Sequence, residues 1–275
     1  MRWVIGFLVV PTAVIVAAAL YLWFSTAAFR DHAEQLRRDM VATQLKPSTA
    51  NPGLPEIVRA YAIRAGGEIG GPSTFYARHQ ATLATSKDAA PIELSAEQWT
   101  GTIAPGIVWT ASGTMNRLPV SVLDAYVDGR GELSARLLGS IQVAGGEGPD
   151  YDKGELMRYL SELPVYPDAI LNNTALRWRV VDPRTIEVTA DSRSGPASLR
   201  FYFDANGDIV RMEADDRPMG IDGGATVPTT WHGLYRDFRQ FGRYRIPAYG
   251  EVGWVLADGL FTYWRGTVVA YEPSP

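Results

Sequence analysis

The chain has no cysteine. No disulfide, thiolate nucleophile or cysteine-held metal can contribute, and the absence fits either side of a membrane. Histidine is scarce as well. His32, His79 and His232 are the only three, and none has a second histidine or a carboxylate at a spacing such as H-E-x-x-H, so neither a metal nor another cofactor is expected. Serine lacks a nucleophile elbow, since neither Ser73 nor Ser194 lies in a G-x-S-x-G context. Gly66-Gly67 and Gly70-Gly71 lack both the strand before and the Lys-Ser/Thr after that a phosphate loop needs. An excess of positive charge is missing too. With 26 basic and 30 acidic residues, a net charge of −4 and no basic stripe, nucleic acid is excluded as a partner.

What is present is one long apolar run. Trp3 to Phe24 holds 22 uncharged, mostly apolar residues. As a helix they would reach roughly 33 Å, enough to cross a hydrocarbon core of about 30 Å. Tyr21, Trp23 and Phe24 at one end and Trp3 at the other suit the two membrane interfaces. A cleavable secretory signal would have a shorter apolar region, although Ser25-Thr26-Ala27 offers small residues at cleavage spacing. Residues 1–27 are therefore read as a single-pass anchor. No second run of this length follows, which argues against a channel or transporter formed within one chain. Sidedness is divided. Arg30, Arg37 and Arg38 after the run, against Arg2 before it, favour a cytoplasmic domain.

Residues 28–53 read as a polar stalk, helical from Ala28 to Leu45, with a linker from Pro47 to Pro55. Residues 54–275 read as one β-rich soluble domain. A short helix starts at Pro55 and stops at Gly66-Gly67, with Ile57, Val58 and Tyr61 on one side. From Phe75 to Ala144 the pattern is that of strands, with turns at Pro105-Gly106 and at Asp128 to Gly131. Asp152 and Glu155 have capping-box spacing before a helix with Leu156, Tyr159, Leu160 and Leu163 on one face, ended by Pro164 and Pro167. Strands resume over 176–181, 185–190, 197–204, 208–214, 226–240, 243–257 and 260–272, in hairpin order that implies antiparallel pairing. The fold class is mainly β within α+β: an antiparallel curved sheet or half-barrel with an inserted helix, preceded by a transmembrane helix.

Carboxylates are the remaining route to catalysis. Glu155 and Glu162 flank Arg158 at spacings of three and four, which reads either as an acid/base pair with a cationic orienter or as an exposed ion-pair ladder. Glu251, between Gly250 and Gly253 with Trp254 nearby, is either a sheet-surface glutamate or a residue at a place where a ligand can approach. Aromatic placement is the stronger signal. Fifteen of the 30 aromatic residues fall in the last 101 positions, on strands apolar on both faces. Phe261 and Tyr263 are expected to oppose Leu260 and Trp264. The two readings are a sheet covered by a packed helix, or a concave apolar site for a small molecule or lipid.

The segment Lys153-Gly154-Glu155-Leu156-Met157-Arg158-Tyr159-Leu160-Ser161-Glu162-Leu163-Pro164, followed by Tyr166-Pro167 and Ala169, resembles a bacterial family of uncharacterised proteins carrying a GELMRYLxELPWxPxA-type motif. Leu54-Pro55, Asp124-Ala125-Tyr126, Phe203-Asp204, Gly250-Glu251-Val252 with Trp254, and Tyr263-Trp264-Arg265-Gly266 match it too, so the likeness spans roughly residues 54–272. The chain departs at Val165-Tyr166, where the family has tryptophan after the proline. The resemblance implies no reaction. Its order of elements is similar to the half-barrel of periplasmic lipoprotein carriers, which implies an extracytoplasmic domain. The expectation is thus a tethered domain holding an apolar ligand, a lipid or acyl chain, at Trp109, Trp178, Trp231, Trp254, Trp264 and Glu251. The alternatives are an envelope scaffold or sensor that binds a protein partner, or an enzyme using Glu251 or the Glu155/Arg158 pair.

Overall fold

A computed structural model describes residues 2–45, 49–221 and 224–274, with the side chains of the first helix described from Val14 onward. The side chain of Trp3 and the start of the Pro47 linker lie outside these residues.

Helix α1 runs from Arg2 to Thr43, so the apolar run and the polar stretch after it form one continuous helix, roughly 63 Å long. Its described apolar part is exposed, with Val14, Tyr21, Trp23 and Phe24 each more than 60 % accessible. The second half is not a free stalk. Phe29, Ala33 and Met40 are buried against Val108, Leu123, Ala125 and Val127 of the sheet. These contacts lie one and two turns apart on one face, a stripe too narrow to stand out among the charges around it. Gln44 fastens the end of the helix by accepting from the backbone N–H groups of Ile103 and Ala104.

The sheet has 13 strands, all paired antiparallel: β1 Thr74–Leu83, β2 Ile92–Gly101, β3 Ile107–Met115, β4 Leu118–Val127, β5 Arg130–Leu137, β6 Ile141–Glu147, β7 Arg177–Asp182, β8 Thr185–Ser192, β9 Gly195–Phe203, β10 Ile209–Gly220, β11 Thr226–Phe241, β12 Tyr244–Leu256 and β13 Gly259–Pro273. Two meanders, β1–β6 and β7–β13, join where β1 pairs with β13. The sheet is curved and open, as expected for a half-barrel. Its edge strands, β6 and β7, are each paired on one side only among the described residues.

Three helices fill one end of the concave face: α2 Glu56–Arg64, α3 Pro149–Ser161 and α4 Pro167–Asn172, the last two linked by a 3-10 turn at Leu163–Val165. Val58, Tyr61, Leu156, Met157, Tyr159, Leu160, Ile170, Phe75, Phe201 and Ile246 form the main core there. Helix α3 packs on β4–β6 of one meander and β8–β10 of the other, so it bridges both arms. It starts at Pro149 after Gly148, three residues before the expected cap, and no side chain caps it. Asp152 instead accepts from the Gly131 N–H and from the Ser194 hydroxyl, tying β5 to the β8–β9 turn. Gly131 is needed because a Cβ there would lie 2.1 Å from the Tyr151 carbonyl oxygen.

Candidate functional site

Away from the helices, the concave face carries an apolar cluster built from strands alone. Ala81, Ile92, Leu94, Ala96, Trp109, Ala111, Val120 and Val122 are buried, with Leu83, Met115, Leu137 and Trp264 half-buried around them. The β5–β6 turn at this end meets α1, where Ser25 Oγ donates to the Gly139 carbonyl at 3.4 Å. The helix therefore leaves the sheet at the strand-only end.

Two bulges shape the sheet beside this cluster. In the β12–β13 ladder Val252 pairs with Trp264 and Gly253 with Thr262, so Tyr263 is skipped. Tyr263 and Trp264, expected on opposite faces, both reach the concave side: Tyr263 stacks on Trp254 with ring centroids 5.5 Å apart, and Trp264 packs on the strand-only cluster. Trp264 lies flat because Gly250 and Gly266 are cross-strand partners, and a Cβ on Gly266 would come within 2.2 Å of its ring. The second bulge is in β10, where Ala214 pairs with Trp231 and Arg217 with Thr229. The strand thus continues to Gly220 rather than ending at residue 214. The charged run Asp215-Asp216-Arg217 with Pro218 looks like a turn in sequence, but here the bulge aims Arg217 inward.

Between these strands and α3 lies a buried charge cluster. Arg158 pairs with Asp124 and, at 3.2 Å, with Glu162; its guanidinium sits 5.0 Å above the Trp109 ring. Arg217 lies 4.1 Å from the Trp231 ring and 3.6 Å from Glu155. Glu155 is 5 % exposed at its side chain, so the exposed-ladder reading of the Glu155, Arg158 and Glu162 face is overturned. The helix has no exposed face there because both arms of the sheet close on it. Burial, then repulsion from Asp124 and a hydrogen bond to it, push the Glu155 carboxyl well above the usual carboxylate range, against Arg217 and Arg158. Glu155 Oε2 and Asp124 Oδ1 are both without a conventional donor. The raised Glu155 carboxyl, when protonated, can donate to the Asp124 carboxylate. His79, also facing inward, is held down to about 4 by burial and by Arg158, so its ring is neutral.

The predicted site residues separate into groups. Trp231, Trp254 and Tyr263 form one aromatic set, with Trp231 Nε1 donating to the Tyr263 hydroxyl at 3.2 Å. Trp109 and Trp264 belong to the strand-only cluster. Trp178 is remote from both, against Phe201 near the β7 edge. Glu251 projects to the opposite face. It pairs with Leu234 and Arg265 in the ladder and accepts from the Tyr249 hydroxyl at 2.7 Å, so it does not join the tryptophans. Asp124 and Arg217 were missed as site residues. The only sequence signal was Asp124-Ala125-Tyr126 within the family likeness. For Arg217 no local pattern points inward.

A separate cavity of about 610 Å³ lies on the convex face between α1 and β1–β4, lined by Phe29, Arg37, Arg78, Glu97, Trp99 and Val108 among others. Some of its polar groups are engaged: Arg37 donates to Glu34 and stacks on Trp99, and Glu97 accepts from the Tyr76 hydroxyl. Among the described residues no cluster of three metal-ligating side chains occurs.

A model of the family of unknown function DUF6544 matches residues 44–266. The chain belongs to DUF6544. No curated protein matches it in sequence. Solved structures similar to this DUF6544 chain include a domain assigned to outer membrane lipoprotein sorting from Vibrio parahaemolyticus, 11 % identical with a TM-score of 0.46 over 79 % of this chain and 90 % of that one. A LolA superfamily protein from Nitrosomonas europaea is 10 % identical, with a TM-score of 0.44 over 79 % and 94 %. A DUF1329 family protein from Desulfovibrio piger is 9 % identical, with a TM-score of 0.42 over 79 % and 92 %. Likenesses this distant carry no argument about ligand or partner.

Proposed function

We propose that this DUF6544 protein is a membrane-anchored binding domain that takes an apolar ligand, a lipid or acyl chain, along the strand-only half of its concave face. The observation that carries the reading is the coincidence of two features at one end of the sheet. The apolar cluster without a helical cover lies there, and α1 departs there toward its exposed apolar segment, which is long enough to span a bilayer. That half, a trough, would then open toward the membrane, the source of such ligands. Its wall of half-exposed Trp254, Tyr263 and Trp264 supplies aromatic surface of the kind that lines apolar sites. On this reading the domain lies on the outer side of the membrane.

The test is native mass spectrometry of the full chain released from neutral detergent, with lipid extraction in parallel. Co-purifying acyl lipid is expected, and Trp264→Ala should reduce it. Absence of bound lipid, together with failure to bind an added fluorescent fatty acid, would refute the reading.

One observation favours the alternative of an envelope scaffold. Edge strand β7 pairs only with β8 and exposes Val180 and Val181 at 57 % and 45 %, a surface that a partner strand could extend. Crosslinking in native membranes that yields one dominant protein adduct through β7 would support it over the ligand reading.

A further inference from the structure

Arg217 is 7 % exposed, yet no side chain or backbone group among the described residues accepts a hydrogen bond from it, and its Nη1 is buried without a partner. Glu155, its ion-pair partner at 3.6 Å, is too far for a hydrogen bond. The ring of Trp231 covers one face of the guanidinium, which leaves the donors on its edge unanswered. Arg200, on the neighbouring strand β9, shows what a structural arginine looks like in this sheet: it donates to Glu213, to both oxygens of Asp215 and to the Tyr202 hydroxyl. Burying a guanidinium without such partners costs several kcal/mol, roughly, and natural sequences seldom keep one that has no use.

The placement is built. The β10 bulge that turns Arg217 inward is pinned on both sides, Asp215 by Arg200 and Asp216 by Lys153 of α3 at 2.5 Å. A second donor at the same charged centre is also unanswered, the buried Trp109 Nε1. The unpaired acceptors there, Asp124 Oδ1 and Glu155 Oε2, belong to side chains that face each other, whereas the arginine and indole donors have no acceptor.

We propose that Arg217 recognises the anionic oxygen head of an amphiphile, a phosphate or carboxylate, whose apolar tail lies along the trough toward Trp264. This rests on the ligand-binding reading above and names the class of ligand. A planar guanidinium edge suits an acceptor with two oxygens, and the tail direction follows from the strand-only cluster lying beyond Trp109.

Titration calorimetry on the full chain in neutral detergent micelles, with dodecyl phosphate, dodecanol and inorganic phosphate as probes, tests it. Charged hydrogen bonds of this kind imply that dodecyl phosphate binds roughly ten- to a hundredfold tighter than dodecanol. In Arg217→Met that preference should vanish, while Arg217→Lys keeps part of it; comparing each variant with wild type cancels partition into micelles. Because methionine replaces an unbonded buried charge with an apolar side chain of similar length, the variant should melt at or above the wild-type temperature, which separates lost binding from lost fold. Equal affinity for dodecyl phosphate and dodecanol in wild type, or a preference retained in Arg217→Met, would overturn the Arg217 assignment while leaving the ligand reading standing. Inorganic phosphate binding as tightly as dodecyl phosphate would overturn the amphiphile. Binding of neither amphiphile would remove the ligand reading itself.

Discussion

The two ends of the concave face are built on different rules. At the helix-filled end most buried polar groups have partners, Asp168 Oδ2 and the Tyr271 hydroxyl being exceptions among the described residues. Tyr61 donates to the Pro164 carbonyl, Tyr159 to Gly101, and Asn51 to the carbonyls of Asn173 and Leu176, around rings such as Phe75 and Tyr271, whose centroids are 4.9 Å apart. At the other end the cluster is built from strand side chains, aromatic rings stay half-exposed, and Arg217 and Trp109 keep donors without acceptors. A satisfied, close-packed end sets stability, whereas an end with unmet hydrogen bonds and missing cover is where a protein spends stability on binding. Substitutions should therefore cost much at the first end and little at the second.

The largest effect belongs to Phe75, which is fully buried and touches Tyr166, Tyr244 and Tyr271. Phe75→Ala should lose about 3–5 kcal/mol of unfolding free energy in a urea titration. A loss under about 1 kcal/mol would mean that the helix-filled end is not the stabilising one. Next comes Tyr159, whose hydroxyl donates to the Gly101 carbonyl at 3.1 Å and accepts from Asn173 at 3.0 Å. Tyr159→Phe strands two buried partners, and about 1–3 kcal/mol should go with them.

Glu155 lies between the two ends, and its effect depends on pH. Its carboxyl is raised in the fold from the ordinary value of 4.5. The native state thus holds a proton that the unfolded chain has released. The stability tied to that proton is complete below about 4.5 and is lost as pH rises from there through the raised native value. One proton limits the slope to about 1.4 kcal/mol per pH unit. Glu155→Gln keeps a neutral group beside Asp124, Arg158, Arg217 and Glu162, so this portion of the pH dependence should flatten in denaturation curves taken between pH 4 and 8. An unchanged slope would place the titration elsewhere.

How far the sequence shows this division differs from element to element. The strands, the antiparallel order and the buried helix from Lys153 onward follow from alternation, turn residues and prolines, which act over a few residues. The docking of residues 28–43 did not, because Phe29, Ala33 and Met40 find their partners only after the convex face of β3 and β4 exists. Residue orientation failed at the bulges. A two-residue period assigns Tyr263 and Trp264 to opposite faces and ends β10 before Arg217, and one skipped residue in each ladder reverses both conclusions. Glu251 failed differently: the flanking glycines were read correctly as points of close approach, but what approaches Gly250 and Gly266 is Trp264 on the other face, and what approaches Gly253 is the backbone of Phe261 and Thr262. Composition drew attention to the tryptophans but not to their separation, and it left the charged centre unseen, since Asp124, Glu155 and Arg217 come together only through the packing of α3 on both arms.

The smallest effect is the sharpest test of the comparison. A methyl group at Gly266 would come within 2.2 Å of the Trp264 ring, a clash that in a close-packed core would cost a few kcal/mol. Trp264 is only half-buried, however. The indole can swing outward, so Gly266→Ala should cost no more than about 1 kcal/mol. Fluorotryptophan NMR gives the matching readout: the Trp264 signal, assigned by its loss in Trp264→Phe, should shift, while that of Trp231, covered by Arg217, should stay in place. A cost as large as that of Phe75→Ala would show the strand-only end to be as tightly filled as the other, and the trough would then have no room for a ligand.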